Sequence, residues 1–302
     1  MQNFRKLQLA NQRKTFGLLL GLAVLVFVVI YAALTYFGKT GVGLVPFAVG
    51  ISLISVWSSY WASDSIVLTM TGAKELAYEE NPKLFDLVQE VCIASGLKMP
   101  KVALVDDTAP NAFATGRNPD RALIAFTTGI LEVMDRDELQ GVIAHEMSHV
   151  ANRDTLVSAV AATTAGAIAL LSDFIMRMMW FGGGRDRDEN NNQNPLALIA
   201  SLIVLILAPV AALLLRSAIS RRRESLADAT AVSFTRNPAG LRKALEVLER
   251  DSTVVHQRST AVAHIWIESP LDSSSVSKLF ATHPPLSERI ATLRAMEANP
   301  SN

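Results

Sequence analysis

Long apolar runs alternate along this chain with stretches whose apolar residues recur at helical or strand spacing. Residues 16–37 form an uninterrupted apolar run of membrane-spanning length, and after a short turn at 38–41 a second run extends over 42–62. From 63 to 153 the character changes. Leu84, Phe85, Leu87, Val88, Val91 and Cys92 recur at the spacing of an amphipathic helix that Gly96 and Pro100 end. Two short runs, 101–105 and 121–127, read as strands separated by the turn-rich stretch 106–120. Asp135 and Glu138 have the spacing of an N-cap and its reciprocal partner, and Leu139, Val142, Ile143 and Val150 supply the apolar stripe of the helix that follows. Third and fourth apolar runs, 156–174 and 196–215, are joined by a polar, Gly- and Asn-rich connector at 182–194. The fourth carries no charge, whereas the third includes Asp173 and the pair Thr163 and Thr164. A buried helical hairpin would give a similar pattern, but the charge-free length of the fourth run favours membrane spans. A last helix is expected over 286–296, and the stretch 251–279 reads as irregular.

Composition agrees with a membrane protein that has a polar part. Half of the 302 residues are hydrophobic and the mean hydropathy is +0.28, too apolar for an ordinary soluble domain, so the 19% of charged residues must be concentrated outside the apolar runs. The zero formal net charge gives no ground for a nucleic-acid partner. A single cysteine, Cys92, cannot form an internal disulfide and reads as a small core residue of a reducing compartment. Arg5, Lys6, Arg13 and Lys14 precede the first run and place that end in the cytoplasm, and Arg216, Arg221, Arg222 and Arg223 follow the fourth run on the same side. The expected organisation is therefore a transmembrane hairpin (1–63), the first part of a cytoplasmic domain (64–154), a second hairpin (155–218) and the second part of the cytoplasmic domain (219–302).

The chemistry centres on His145-Glu146-Met147-Ser148-His149. Residues four apart share one helix face, so His145 and His149 can reach one metal ion while Glu146 sits beside them as a general base. Two surface histidines on an ordinary helix are the bland alternative, and two ligands do not complete a catalytic zinc site, which uses three. Glu224 and Asp228, four apart just after the fourth run, offer the third ligand and a carboxylate for the outer nitrogen of a ligating histidine; a solvated acidic face is the alternative there. Asn111, Ala112 and Phe113 form a candidate edge strand able to bind an extended polypeptide through its main chain, or else a partly buried loop. His256 and His264 lack ligand spacing.

Taken together, HEMSH at 145–149, NAFATG at 111–116, RRRESLADA at 221–229 and THPPLSERI at 282–290 resemble the HtpX group of membrane-embedded zinc endopeptidases, in a family that also includes the CAAX prenyl endopeptidases. The likeness spans nearly the whole chain. It implies a mostly α integral membrane protein with four transmembrane helices and a cytoplasmic zincin-like helical peptidase domain containing a small β-sheet. It further implies one Zn2+ held by His145, His149 and Glu224, Glu146 as the base, and Asp228 as the carboxylate behind a histidine. His283 would approach the site as a donor to the transition state, or only anchor the last helix; His283 and Arg289 are both candidates to meet the developing oxyanion. The implied substrates are unfolded or membrane proteins in a bacterial inner membrane, with the N-terminus, active site and C-terminus cytoplasmic and a role in protein quality control under stress. A narrow C-terminal processing protease and a non-catalytic scaffold with a vestigial metal site are the alternatives.

Overall fold

The computed structural model describes residues 20–35, 42–116, 118–155, 195–251 and 285–298, with single positions outside these ranges, Trp266 and Ile267 among them. His256, His264 and His283 lie outside the described residues, as does most of 251–279.

Helix α1 occupies 20–35 and is followed by α2, Leu44–Thr71. The second apolar run therefore belongs to a single helix that continues past the boundary expected at 63. Its stop is Gly72, in the left-handed region at φ 69°, where the absence of a Cβ removes the steric penalty.

A four-stranded sheet lies between two apolar layers. Its strands are β1 (Lys74–Glu75), β2 (Lys101–Val105), β3 (Ala112–Thr115) and β4 (Leu123–Thr127), in the spatial order β1-β2-β4-β3. β2 runs parallel to β4, while β1 and β3 are antiparallel neighbours at the two edges. Strand side chains alternate between faces. Ile124 and Phe126 of β4 accordingly enter the main core, and Leu123 and Ala125 pack on the opposite side with Val67 of α2 and Trp266. Burial on both faces is why β4 reads as a continuous apolar run rather than an alternating one.

Helices cover the main-core face. α3, Pro82–Ser95, is started by the Asn81 side chain accepting from the Leu84 N–H at 3.2 Å and buries Leu84, Leu87, Val88, Val91 and Cys92. α4 is the short helix Thr128–Val133. α5, Arg136–Ala151, opens with the expected capping box, the Glu138 N–H donating to Asp135 Oδ1 and the Asp135 N–H to Glu138 Oε2, each at 2.9 Å. α5 packs against α6 (Pro195–Thr235) and α7 (Pro238–Arg250), and α8 (Leu286–Ala298) packs against α7. At the α5–α7 crossing the backbones touch: a Cβ on Gly141 would lie 2.5 Å from the Leu241 nitrogen, and one on Gly240 would lie 2.5 Å from the Asp137 carbonyl oxygen.

α5 ends at Ala151, and Arg153 turns the chain through the left-handed region at φ 59°. One connection differs from expectation: the fourth run and the segment bearing Glu224 are one continuous helix, α6, across the boundary expected at 218. Among the described residues no helix is long and apolar enough to cross a membrane; the runs at 16–37 and 156–174 lie partly outside the described residues.

Candidate metal centre

Two sequence-distant helices converge at the C-terminal half of α5. The helix places His145 and His149 one turn apart on the face that meets α6, and α6 brings Glu224 opposite them. His145, His149 and Glu224 form the one group among the described residues whose geometry can hold a metal ion. The Nε2 atoms of the two histidines are 3.3 Å apart; Glu224 sets Oε2 at 3.4 Å from His145 Nε2 and Oε1 at 3.6 Å from His149 Nε2. A tetrahedral ion with bonds of about 2.0–2.1 Å separates its ligand atoms by roughly 3.3–3.4 Å, so these three side chains match the donor set and spacing of a catalytic zinc site.

The outer nitrogens face away from this centre towards carboxylates. His145 Nδ1 is 2.9 Å from Asp228 Oδ1, the partner expected from the sequence. His149 Nδ1 is 3.3 Å from Asp154 Oδ2, a partner that was not expected. Asp154 follows the left-handed turn at Arg153, and no helical spacing links it to His149. The available signal was an acidic residue shortly after the motif. Both aspartates are faced by buried arginines: Arg289 donates to Asp228 through Nε at 2.9 Å and Nη2 at 2.7 Å, and Arg223 Nη1 lies 3.5 Å from Asp154 Oδ1. Arg289 also brings Nη1 to within 3.5 Å of Glu224 Oε2. Considered from the sequence as a partner for the oxyanion, it is committed in the structure to Asp228.

The electrostatics follow from burial against these partners. Burial and the Arg289 charge depress the His145 pKa, but hydrogen bonds to Asp228 and Glu224 outweigh them and raise it to about 9 in the metal-free site. His149 is raised as well: burial opposes, and Asp154 and Glu224 prevail. Burial works against the Asp228 carboxylate, yet Arg289 and His145 hold its pKa down at about 2. Asp228 therefore stays ionised and able to accept from His145. Glu146 is 2% exposed, and its charge acts on both His149 and Arg289.

Asn111, Ala112 and Phe113 lie at β3, an edge strand, but they are buried rather than exposed. The Ala112 carbonyl already accepts the Ile267 N–H at 2.9 Å, and the Trp266 ring meets Phe113 edge-on with centroids 4.8 Å apart.

A helix carrying two histidines and a carboxylate, faced by a second carboxylate from another helix and set beside a small mixed sheet, defines a metallopeptidase of the HExxH class. The chain belongs to Peptidase family M48, whose family model matches residues 78–297. It is 42% identical to a Protease HtpX homolog of Streptococcus gordonii over 95% of this chain and 98% of that one, and 46% identical to a Protease HtpX homolog of Salinibacter ruber over 92% and 95%. Among solved structures it is similar to Ste24p of S. mikatae, with TM-score 0.49, 18% identity, and coverage of 88% of this chain and 61% of that one. The protein is thus a metalloendopeptidase of the HtpX type.

Proposed function

We propose that this protein is a zinc-dependent endopeptidase, embedded in the bacterial inner membrane, that cleaves misfolded or damaged membrane proteins at the cytoplasmic face. The observation that carries the reading is the intact Glu146, buried beside a complete His145, His149 and Glu224 ligand set. A site that only stored metal would have no use for a base at that position.

Zinc held by these three residues would supply a Lewis acid for the scissile carbonyl and would lower the pKa of water towards neutrality. Glu146 accepts the proton of the attacking water and returns it to the leaving amine. Asp228 accepts from His145 Nδ1, which leaves Nε2, the nitrogen that faces Glu224, free to bind a metal ion.

Membrane embedding is supported by the apolar runs at 16–37 and 42–62 and by Phe47, Leu53, Ile54 and Trp57 of α2 and Ile203 and Leu207 of α6, all at least half exposed. A broad substrate range fits main-chain pairing with β3, where an extended polypeptide displaces Ile267 from Ala112 or pairs further along the strand. The test is casein hydrolysis by the detergent-purified protein. Zinc-stimulated cleavage that a chelator abolishes supports the reading; absence of cleavage by the zinc-loaded protein overturns it. Cleavage confined to one defined C-terminal sequence would point instead to a narrow processing enzyme.

A further inference from the structure

We infer that Asp154 is a positioning residue of the metal site, fixing the orientation of His149 and, through Arg223, the turn of α6 that carries Glu224. The inference rests on the zinc reading above.

Three observations meet at this residue. The residue is 2% exposed, and burying an ionised carboxylate is unfavourable unless it is paired. Both of its oxygens are engaged: Oδ2 lies 3.3 Å from His149 Nδ1 and Oδ1 lies 3.5 Å from Arg223 Nη1. Arg223 immediately precedes Glu224, so one carboxylate touches the side chain of one ligand and the chain neighbour of another. The backbone is also held in an unfavourable form to achieve this. Arg153 adopts φ 59°, a conformation that costs a residue with a Cβ roughly 1–2 kcal/mol, and the turn it makes brings Asp154 back beneath the end of α5. Persistent strain of this kind next to a site is a reason to look for a role in that site.

His149 has the greater need of such a partner. The His145 side chain is fully buried and is held by the Asp228 and Arg289 pair, whereas the His149 side chain is 16% exposed and less confined by packing. When His149 donates Nδ1–H to Asp154, Nε2 is left as the unprotonated nitrogen facing Glu224. The two histidines are thus oriented in the same manner, each by an aspartate backed by a buried arginine, but the aspartates come from different elements.

The experiment measures zinc affinity of the full-length protein in detergent, by competition with a chromophoric chelator, for the native chain and for Asp154→Asn, Asp154→Ala and Arg153→Gly. The Asn variant keeps the shape of the side chain and is the one to read should the Ala variant fail to fold. Both Asp154 variants are expected to bind zinc about 10- to 100-fold more weakly and to shift the visible absorption of the cobalt-substituted site. Arg153→Gly, which makes the same turn without a Cβ, is expected to bind as the native chain does. If Asp154 only braces the fold, Asp154→Asn lowers the melting temperature of the metal-free protein, leaves zinc affinity within about twofold and leaves the cobalt spectrum unchanged; that result overturns the inference. Native-like zinc binding by both Asp154 variants sinks this assignment alone, while a native chain that binds no zinc sinks the functional reading beneath it.

Discussion

Asp228 accepts from Nδ1 of His145 at 2.9 Å while Arg289, from the last helix, grips the same carboxylate at 2.7 and 2.9 Å. The relationship joins three distant parts of the chain, α5, α6 and α8, in one buried hydrogen-bonded unit. Arg289 of α8 is thereby part of what orients His145, one of the proposed metal ligands, and α8 serves as more than a cover for the core.

Removing the arginine from this unit takes away the two-pronged partner of Asp228 and leaves the buried carboxylate facing His145 alone. Arg289→Met should destabilise the metal-free protein by about 3–5 kcal/mol, the usual cost of breaking a buried pair by deleting one partner. Arg289→Lys, which keeps the charge but not the two-pronged geometry, should fall between it and the native protein. Unfolding midpoints in denaturant check both.

The raised pKa of His145 ties stability and metal binding to pH in opposite directions. Its value moves from 6.5 to about 9 in the metal-free site, so the stability it contributes is complete below pH 6.5 and is lost as pH rises through 9. Zinc has to displace that proton, so zinc affinity should climb across the same interval. Chelator-competition titrations and thermal scans of the metal-free protein between these two pH values give the two trends. A zinc affinity independent of pH would contradict the assignment.

The contact between Gly141 and α7 leaves no room for a side chain. Gly141→Ala puts its Cβ against the Leu241 backbone, so the helices must separate, and a loss of about 1–3 kcal/mol or more is expected. Because α5 carries both histidines, zinc affinity should fall together with the melting temperature.

Much of this site was legible in the sequence because helical spacing carries it. His145 and His149, and Glu224 and Asp228, are each four apart, and the capping pair of Asp135 and Glu138 marks where α5 begins. Strand spacing likewise anticipated β2 and β4. What escaped was set by tertiary contacts. Asp154 reaches His149 through a left-handed turn that no periodicity announces, and Arg289 reaches Asp228 across 61 positions of sequence. β1 is two residues long and exists through its pairing with β2, so it leaves no pattern of its own. Residues 111–113 read from the sequence either as an open edge or as a partly buried loop; Ala112 lies in a buried edge strand engaged by Ile267, whose neighbourhood in the sequence reads as irregular.

Glu224 is the ligand we propose from the second helix, and without it the histidines offer two donors where catalytic zinc sites use three. Glu224→Ala should leave purification with little zinc and no peptidase activity, while α5 stays capped and packed. Metal analysis after exhaustive dialysis is the check; a full zinc complement would remove Glu224 from the ligand set.

The central claim is that Glu146 acts as the base of a zinc peptidase built on His145, His149 and Glu224. Its most direct test is a parallel measurement of zinc content and casein cleavage for the native protein and Glu146→Gln. The account predicts one zinc per chain in both and a rate at least about 100-fold lower in the variant, the scale of a lost general base. Cleavage at the native rate by Glu146→Gln would contradict it.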